Sequence, residues 1–258
     1  MVSLRTYKEL DTSHHTLVLI HAFPLSSVMY DSVAEILSLK LPTLNIILVD
    51  LPGFGKAAAL DTWSFNDAMI SLHQELVSRG LMRIAIGGTS MGGYAAFAYY
   101  KEFPEHVTHL ILSNTKAEAD TAEGKAGREV FATDVLEKGY EAVYMRMLNS
   151  LTSRSTIQKH PEMLDRLRTM ISSSSPQAIA AALRALANRD DSTNLLTSIS
   201  IPTLVITGEG DELIKPDVTK VIADKVKNST FLQMREVGHL APLEAPEEWA
   251  KIVADFLT

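Results

Sequence analysis

The amino-acid sequence predicts an α/β fold with a mainly parallel central sheet and helices on both faces. Three observations lead to this prediction. From residue 16 onward, short apolar runs alternate with segments in which apolar residues recur at helical spacing. One of these runs leads through a serine flanked by glycines directly into a helical segment. Between residues 116 and 198 the alternation stops, and the chain shows helical patterning without a convincing strand.

The short apolar runs are predicted to be the strands of the sheet. Continuous aliphatic runs bounded by turn residues are typical of strands that are buried on both faces. The predicted strands are Thr16–Ile20, Asn45–Val49, Arg83–Gly87, His109–Leu112, Thr203–Thr207 and Thr230–Met234. Residues Leu4–Leu10 are predicted to add a short antiparallel strand at one edge.

The segments between the runs are predicted to be crossover helices. From residue 65 to residue 76, apolar side chains recur at the spacing that forms one apolar stripe. Ser64 and Asp67 form a predicted capping box at the start of this helix, and Gly80 is the predicted terminator. Further helices are predicted at Val28–Leu39, Met91–Phe103, Asp217–Lys227 and Glu247–Leu257.

Residues 116–198 are predicted to form an all-helical cap, inserted into a core domain of residues 1–115 and 199–258. Pro161 and Pro176 suit the first turns of two cap helices, with Ser175 as the N-cap of the second. Because the insertion follows the carboxyl end of a strand, we expect it to lie over the strand ends, where open α/β sheets bind ligands.

Ser90 lies in a G-x-S-x-G sequence, with Gly88 and Gly92 at its second neighbours. Glycine at these positions removes the side chains that would collide across a sharp strand-to-helix turn. Such a turn exposes the hydroxyl and directs backbone amides toward the site of a developing negative charge. The pattern also arises by chance in a chain with 13 glycines, so the strand before it and the helix after it are what predict a nucleophile.

A serine nucleophile needs a base to accept its proton and a carboxylate to orient that base. His239 follows the last predicted strand, and Asp211 follows the strand before it. The chain order Ser90, Asp211, His239 is the one expected for a fold with a nucleophile elbow. Other carboxylates near Asp211 are alternatives for the acid: Glu209, Glu212, Asp190 and Asp191. The remaining histidines are interpreted as structural or solvated: His14, His15, His21, His73, His106, His109 and His160.

With these residues identified, the chain resembles the α/β-hydrolase family from about Thr16 to Thr258. The motifs that carry the resemblance are HAFP at 21–24, DLPGFG at 50–55, GTSMGG at 88–93, GEGD at 208–211 and GHLAPLEAP at 238–246. Some members of the family carry the acid after the preceding core strand. Here that place reads Ser113, Asn114, Thr115 without a carboxylate, which favours Asp211.

The resemblance assigns the oxyanion hole to the backbone amides of Phe23 and Met91. HAFP has Ala22 where the family usually has glycine, which puts the local loop conformation in question. His21 is interpreted as a residue that shapes this loop, and DLPGFG as a turn.

Residues beside the predicted catalytic positions, namely Phe23, Met91 and Leu240, are predicted to form the pocket wall. In the cap, Tyr144 and Met145 are predicted to contribute to it. The methionines and aromatics of the cap suit either an apolar acyl pocket or packing between helices. These residues are Tyr140, Tyr144, Met145, Met147, Met163 and Met170.

The resemblance implies a serine hydrolase of a carboxylic ester or a related acyl compound, acting through an acyl-enzyme without a cofactor. The same residues suit an enol-lactonase, a carbon–carbon bond hydrolase, an aminopeptidase for small substrates or a cofactor-free perhydrolase. Serine at the elbow argues against haloalkane dehalogenase and epoxide hydrolase chemistry, which use an aspartate nucleophile. From a different class, a small-molecule receptor built on a hydrolase scaffold is the further alternative.

The composition of the sequence argues against several classes of partner and site. A net charge of −7 without a long basic run argues against nucleic acid, and the first apolar run, Leu17–Ile20, is too short to cross a bilayer. We expect a cytoplasmic protein whose partner is a small-molecule acyl substrate, with its oligomeric state open.

The absence of cysteine excludes disulfides and thiolate metal sites. Neither a dinucleotide-binding glycine motif nor metal-ligand spacing occurs, so no cofactor and no metal are predicted.

Overall fold

The computed structural model of the chain describes residues 1–258. Its strands are β1 (Ser3–Thr6), β2 (Thr16–Ile20), β3 (Asn45–Asp50), β4 (Ile84–Thr89), β5 (Val107–Ser113), β6 (Thr203–Gly208) and β7 (Ser229–Met234). They form one seven-stranded sheet in the order β1-β3-β2-β4-β5-β6-β7. β1 pairs antiparallel with β3, and all other neighbours pair in parallel. The prediction of a mainly parallel sheet with a short antiparallel edge strand is confirmed.

Helices connect the strands. Those outside residues 116–198 are α1 (Asp31–Lys40), α2 (Phe65–Ser78), α3 (Met91–Glu102), α9 (Pro216–Lys225), α10 (Ala241–Glu244) and α11 (Pro246–Leu257). α1 packs against α11, and α2 packs against α3. Strands β2, β3 and β4 are buried along their whole length, as expected for a sheet that is covered on both faces.

Residues 116–198 contribute the remaining α-helices. These are α4 (Ala122–Lys138), α5 (Tyr140–Met147), α6 (Arg154–Lys159), α7 (Met163–Ile171) and α8 (Pro176–Ala187). α4 packs against both α5 and α8. We call residues 116–198 the helical insertion. Its buried apolar side chains belong to the same cluster of 75 residues as those of the sheet, so the insertion packs onto the rest of the protein.

Helix ends show where local sequence signals succeed and fail. The Ser64 hydroxyl accepts a hydrogen bond from the Asp67 amide at 3.1 Å, as the capping box predicts. Ser175 caps α8 in the same way, with Pro176 as the first helical residue. The prediction for Pro161 was wrong, because α7 begins only at Met163. Pro161 lies in the preceding turn, where its carbonyl accepts the Leu164 amide at 3.3 Å.

Candidate active site

Ser90 lies at the turn between β4 and α3, in a backbone conformation that is rare for any residue except glycine. Its φ is 55° and its ψ is −110°. A Cβ atom on Gly92 would lie 1.9 Å from the Ile20 carbonyl oxygen, and one on Gly88 would lie 2.3 Å from the Gly92 carbonyl carbon. Both glycines of the G-x-S-x-G sequence are therefore sterically required, and the strained elbow predicted around Ser90 is present.

Asp211 and His239 form a buried pair at the ends of neighbouring strands. Asp211 follows β6, His239 follows β7, and the distance from His239 Nδ1 to Asp211 Oδ2 is 2.8 Å. Asp211 Oδ1 accepts the amides of Leu213 and Ile214, each at 2.9 Å. The Asn114 side-chain amide donates to Asp211 Oδ2 at 2.9 Å. Four donors therefore converge on one carboxylate.

The charge of Asp211 decides which imidazole nitrogen is free. Burial by itself raises the pKa of Asp211, but the nearby His239 and the hydrogen bonds to the carboxylate outweigh it, so the pKa lies below its ordinary value. The carboxylate is therefore ionised at neutral pH and accepts the Nδ1 proton of His239. That tautomer leaves Nε2 as the proton acceptor.

The alternative acids lie elsewhere. Glu209 accepts the Glu236 amide at 3.3 Å, and Glu212 lies 3.4 Å from Arg154. Asp190 pairs with Lys101 at 2.8 Å, and Asp191 accepts the Ala119 amide at 2.9 Å. None of the four contacts the His239 ring, so the structure leaves Asp211 as the carboxylate beside it.

Ser90 and His239 border the same cavity, which has a volume of ≈ 200 Å³. No hydrogen bond joins the Ser90 hydroxyl to the His239 ring in this structure. Hydrogen bonds between a nucleophile and its base are often long in unliganded enzymes and tighten when substrate binds. The structure thus brings the predicted nucleophile and base to one cavity, with the Asp211 carboxylate behind the base.

Phe23 and Met91, which carry the two predicted oxyanion amides, also line this cavity. Met91 is the first residue of α3, and the first amides of a helix have no acceptor within the helix. The Phe23 amide makes no hydrogen bond within the chain. Ala22 does not adopt a positive φ, so alanine is accommodated where the family usually has glycine. Both amides are therefore available to a negatively charged oxygen.

His21 shapes the loop that carries Phe23. Its Nδ1 lies 3.0 Å from the Ala22 carbonyl oxygen, and its Nε2 accepts the Leu51 amide at 3.1 Å. Burial lowers the pKa of His21, which favours the neutral ring that this pattern requires. Asp50, in the DLPGFG motif, similarly accepts backbone amides, those of Ser27 at 2.8 Å and Lys56 at 3.0 Å. Both residues hold turns in place.

The cavity is bounded by the sheet side and by the helical insertion. The sheet side contributes Phe23, Ser90, Met91, Tyr94, Leu213, Ile214 and His239. The insertion contributes Lys116, Arg128, Met147 and Leu186. The predicted wall residues Phe23 and Met91 are among them.

Three predicted wall residues lie outside the cavity. Leu240 is fully buried in the core, and its amide donates to the Leu151 carbonyl at 3.1 Å. Tyr144 donates its hydroxyl to the Arg168 carbonyl at 3.4 Å, and Met145 is 87% exposed. For Met145 the reason is rotation along α5: residues two apart on a helix point about 200° apart, so Met147 faces the cavity while Met145 faces outward.

A second, larger depression adjoins the cavity at Met147. This outer groove has a volume of ≈ 480 Å³ and includes Met145, Arg154 and Glu212 in its lining. Met147 is the one residue that lines both spaces.

Sequence reasoning missed the residues that hold the histidine loop, defined here as residues 235–244. Glu244 Oε2 accepts the Gly238 amide at 3.0 Å, and its Oε1 accepts the Leu240 amide at 3.1 Å. Glu244 Oε2 also accepts the Ser153 amide at 2.8 Å and the Thr156 hydroxyl at 2.6 Å. This one carboxylate therefore ties both neighbours of His239 to the helical insertion.

Asn114 is the second residue that sequence reasoning missed. Its side-chain amide donates to the Gly238 carbonyl at 3.0 Å as well as to Asp211. Its φ of 49° is in the left-handed region, which asparagine tolerates better than most residues. The available signal was its place after β5, which the family resemblance marks as a site for the acid.

No group of three or more histidine, aspartate or glutamate side chains is arranged to hold a metal ion. None of the helices is both long and apolar enough to pass through a lipid bilayer.

Comparison with known proteins agrees with this architecture. A family model described as alpha/beta hydrolase fold matches residues 15–246. The structure of a thermophilic esterase from Thermogutta terrifontis, solved with malate bound, is similar, with a TM-score of 0.93 and 31% identity over 99% of this chain and 92% of that one. Lipase 3 of Moraxella sp. (strain TA144) is 26% identical over 91% of this chain and 74% of its own length.

A third relative is the pimeloyl-[acyl-carrier protein] methyl ester esterase of Neisseria meningitidis serogroup B (strain MC58). It is 26% identical over 98% of this chain and 96% of its own length. The match of the family model, the mainly parallel seven-stranded sheet and the strained serine elbow together show that this chain belongs to the α/β-hydrolase family.

Proposed function

We propose that the protein is a serine hydrolase that cleaves a carboxylic ester or a related small acyl compound. The observation that carries this proposal is the buried Asp211–His239 pair, whose histidine borders the same cavity as a strained serine at a helix N-terminus. Ser90 is the nucleophile, His239 the base and Asp211 the residue that orients it. The amides of Phe23 and Met91 form the oxyanion hole.

The reaction proceeds in two acyl-transfer steps. His239 Nε2 removes the Ser90 proton as Oγ attacks the carbonyl carbon, and the carbonyl oxygen becomes negatively charged between the two amides. When the tetrahedral intermediate collapses, His239 gives the proton to the leaving alcohol, which departs. Water then attacks the acyl-enzyme with His239 again as base, and the acid is released as Ser90 regains its proton.

Ester chemistry is supported by the relatives. The proteins named above are called esterases or a lipase, and one of them, an esterase, is 31% identical over nearly the whole chain. The cavity of ≈ 200 Å³ is smaller than the range of about 300 to 1,000 Å³ that is usual for drug-sized ligands. A short acyl substrate is therefore favoured, with the helical insertion acting as the cap over it.

The first test is hydrolysis of p-nitrophenyl acetate and butyrate by the wild-type protein and by Ser90→Ala. Without the nucleophile, kcat should fall by about 10⁴-fold or more, because residual rates then come only from binding and the oxyanion hole. Ser38→Ala, at a half-buried serine of α1 that does not line the cavity, is the matched control and should retain full activity. Circular dichroism verifies that each variant is folded.

A mass measurement separates the enzyme from a receptor. A phosphonylating serine reagent should add one adduct to the wild-type protein and none to Ser90→Ala. Ligand binding without turnover and without an adduct would instead favour the non-catalytic receptor. Lactone, amide and carbon–carbon substrates in the same panel distinguish ester hydrolysis from the other reactions that this set of residues serves.

A further inference from the structure

The cavity beside Ser90 has a charged wall. Among the side chains that line it, Lys116 and Arg128 are the cations, and no carboxylate is present. Both cations come from the helical insertion, opposite the sheet residues that carry the predicted reaction. About a quarter of each side chain is exposed, 28% for Lys116 and 27% for Arg128.

Most of the hydrogen-bonding capacity of these two cations is unused within the chain. Lys116 Nζ makes no hydrogen bond and lies 4.0 Å from Asp120 Oδ1. Arg128 reaches the same carboxylate through Nε, and its two terminal nitrogens have no partner in the chain. An ammonium and the forked end of a guanidinium are thus available to a ligand in the cavity.

Asp120 does not neutralise the wall, because it is shared with a third cation. Arg189 Nη1 lies 2.9 Å from Asp120 Oδ1, and both side chains are buried. Burial raises the pKa of Asp120, but Arg128 and Arg189 outweigh it, so the pKa lies below its ordinary value and the group is ionised. Three cations, Lys116, Arg128 and Arg189, therefore share the one Asp120 carboxylate.

Arg189 is occupied by structural contacts. Its terminal nitrogens donate to the carbonyls of Leu186 and Glu118, each at 2.8 Å. Its guanidinium carbon lies 4.3 Å from the centre of the Tyr94 ring. Arg189 does not line the cavity, so the donors available to a ligand there are those of Lys116 and Arg128.

We propose that this cavity takes a small acyl substrate that also carries a carboxylate, which Lys116 and Arg128 bind. The inference rests on the proposed hydrolase function and specifies its substrate class. Charged donors to a carboxylate form short, strong hydrogen bonds, and a bidentate guanidinium orients the ligand as well. A purely apolar acyl chain would remove water from both cations without replacing its hydrogen bonds, which is unfavourable.

The test compares esters of matched shape and different charge. Monoethyl succinate carries a carboxylate on the acyl side, and ethyl succinamate replaces it with a neutral amide. Acetoxyacetate and acetoxyacetamide form the corresponding pair for the alcohol side. The measured quantity is the ratio of kcat/KM for the anionic ester to that for its amide, from which any loss of folded enzyme cancels.

The wild-type protein should prefer the anionic member of one pair, and that pair identifies the side of the ester on which the carboxylate lies. Lys116→Gln and Arg128→Gln should each lower the ratio by about tenfold, the usual effect of losing a hydrogen bond to a charged group. Lys125→Gln removes the same charge from an exposed position of α4 and should leave the ratio unchanged. Raising the salt concentration should reduce the preference.

The outcomes separate this inference from the proposed function. The first outcome is that the two neutral esters, ethyl succinamate and acetoxyacetamide, are hydrolysed as efficiently as their anionic counterparts. The second is that neither Lys116→Gln nor Arg128→Gln changes the ratio. In either case the inference is wrong while the hydrolase function stands. If no ester is turned over, the hydrolase function fails, and calorimetry with monoethyl succinate and Ser90→Ala decides the inference. The inference is sustained if monoethyl succinate binds to Ser90→Ala and binds about tenfold more weakly to the double variant with Lys116→Gln. It is overturned if monoethyl succinate does not bind to Ser90→Ala.

Discussion

The serine elbow and the histidine loop reach the same cavity by different physical means. Ser90 is held by backbone sterics: a left-handed φ and glycines whose Cβ atoms would collide with Ile20 and Gly92. The loop around His239 is held by hydrogen bonds to two side chains: Glu244, at its own end, accepts backbone amides of the loop, and Asn114, which follows β5, donates to the Gly238 carbonyl. The residues of the elbow are consecutive, although Gly92 is required by the carbonyl of Ile20 in β2, whereas the histidine loop depends on side chains from several segments.

This difference predicts different consequences of mutation. A steric constraint fails abruptly, because a single added methyl group in a closed space cannot be accommodated without moving backbone. A hydrogen-bonded loop fails gradually, because each bond contributes about 0.5 to 1.5 kcal/mol. We therefore expect elbow variants to affect folding and histidine-loop variants to affect mainly the rate of the reaction.

The largest effect is expected for Gly92→Ala. Its Cβ would lie 1.9 Å from the Ile20 carbonyl oxygen, so the free energy of unfolding should fall by about 4 kcal/mol or more. Gly127→Ala is the matched control, because a Cβ there meets nothing within 4 Å and the residue lies inside α4. That variant should be more stable than wild type by about 0.5 to 1 kcal/mol. Urea unfolding of both variants tests the contrast, which equal stabilities would contradict.

The next largest effect is the pH dependence of kcat/KM, which reports the protonation of the proposed base, His239. Because His239 must be neutral to accept the Ser90 proton, kcat/KM should fall about tenfold for each pH unit below the midpoint of its acid limb. The pKa of Asp211 lies below its ordinary value, so this carboxylate stays ionised across the limb and the slope should be one. A flat profile, or a slope of two, would contradict the assignment.

Loss of folded protein must be excluded in the same pH range. Burial lowers the pKa of His21, so the unfolded chain binds a proton there more readily than the folded protein does. The stability contributed by neutral His21 is therefore lost as the pH falls through about 6.5, the pKa of histidine in the unfolded chain. Circular dichroism at each pH distinguishes this effect from protonation of the base.

A smaller effect is expected for Glu244→Ala. The change removes the acceptor of the Gly238 and Leu240 amides, so His239 should be less well positioned. We expect kcat to fall about tenfold with little change in KM, because the loop bears on the reaction step more than on binding. Glu248→Ala, at an exposed position of α11, is the control. A rise in KM without a fall in kcat would contradict a positioning role.

The smallest effect is expected for Met147→Ala. Removing this side chain should join the cavity of ≈ 200 Å³ to the outer groove of ≈ 480 Å³. Longer esters should then gain a few-fold in kcat/KM relative to p-nitrophenyl acetate, since one methylene contributes about 0.8 kcal/mol when buried. Met145→Ala, at a residue that is 87% exposed and outside the cavity, provides the comparison. An unchanged chain-length preference would show that Met147 does not separate the two spaces.

The sequence was sufficient to predict those elements whose conformation follows from a short run of consecutive residues. The bounds predicted for β2, β3 and β6 match to within one residue at each end, because their apolar runs are continuous. Those predicted for β7 match equally well, although its run is interrupted by Gln233. β4 extends two residues beyond its predicted end, to Thr89, since its glycines weaken the strand signal while Gly88 still pairs with Ile20. The G-x-S-x-G turn was equally predictable, because the whole motif lies within five consecutive residues.

Orientation on a helix was not predictable. Tyr144, Met145 and Met147 lie within one turn of α5, yet only Met147 borders the cavity. Nothing in their composition distinguishes them, because the packing of α4 and α5 decides which face is turned inward. Lys116 and Arg128 were missed for a related reason: a cation at the surface and a cation on a pocket wall have the same local sequence signal.

The α/β fold, the elbow motif around Ser90 and the chain order of the predicted nucleophile, acid and base can be read from the amino-acid sequence, because periodicity, short motifs and strand-end loops are patterns of neighbouring residues. Tertiary contacts settle which carboxylate meets His239, which side chains hold its loop and which charges line the cavity. These depend on contacts between segments far apart in the chain, such as Asn114 with Asp211, and no local pattern encodes such contacts.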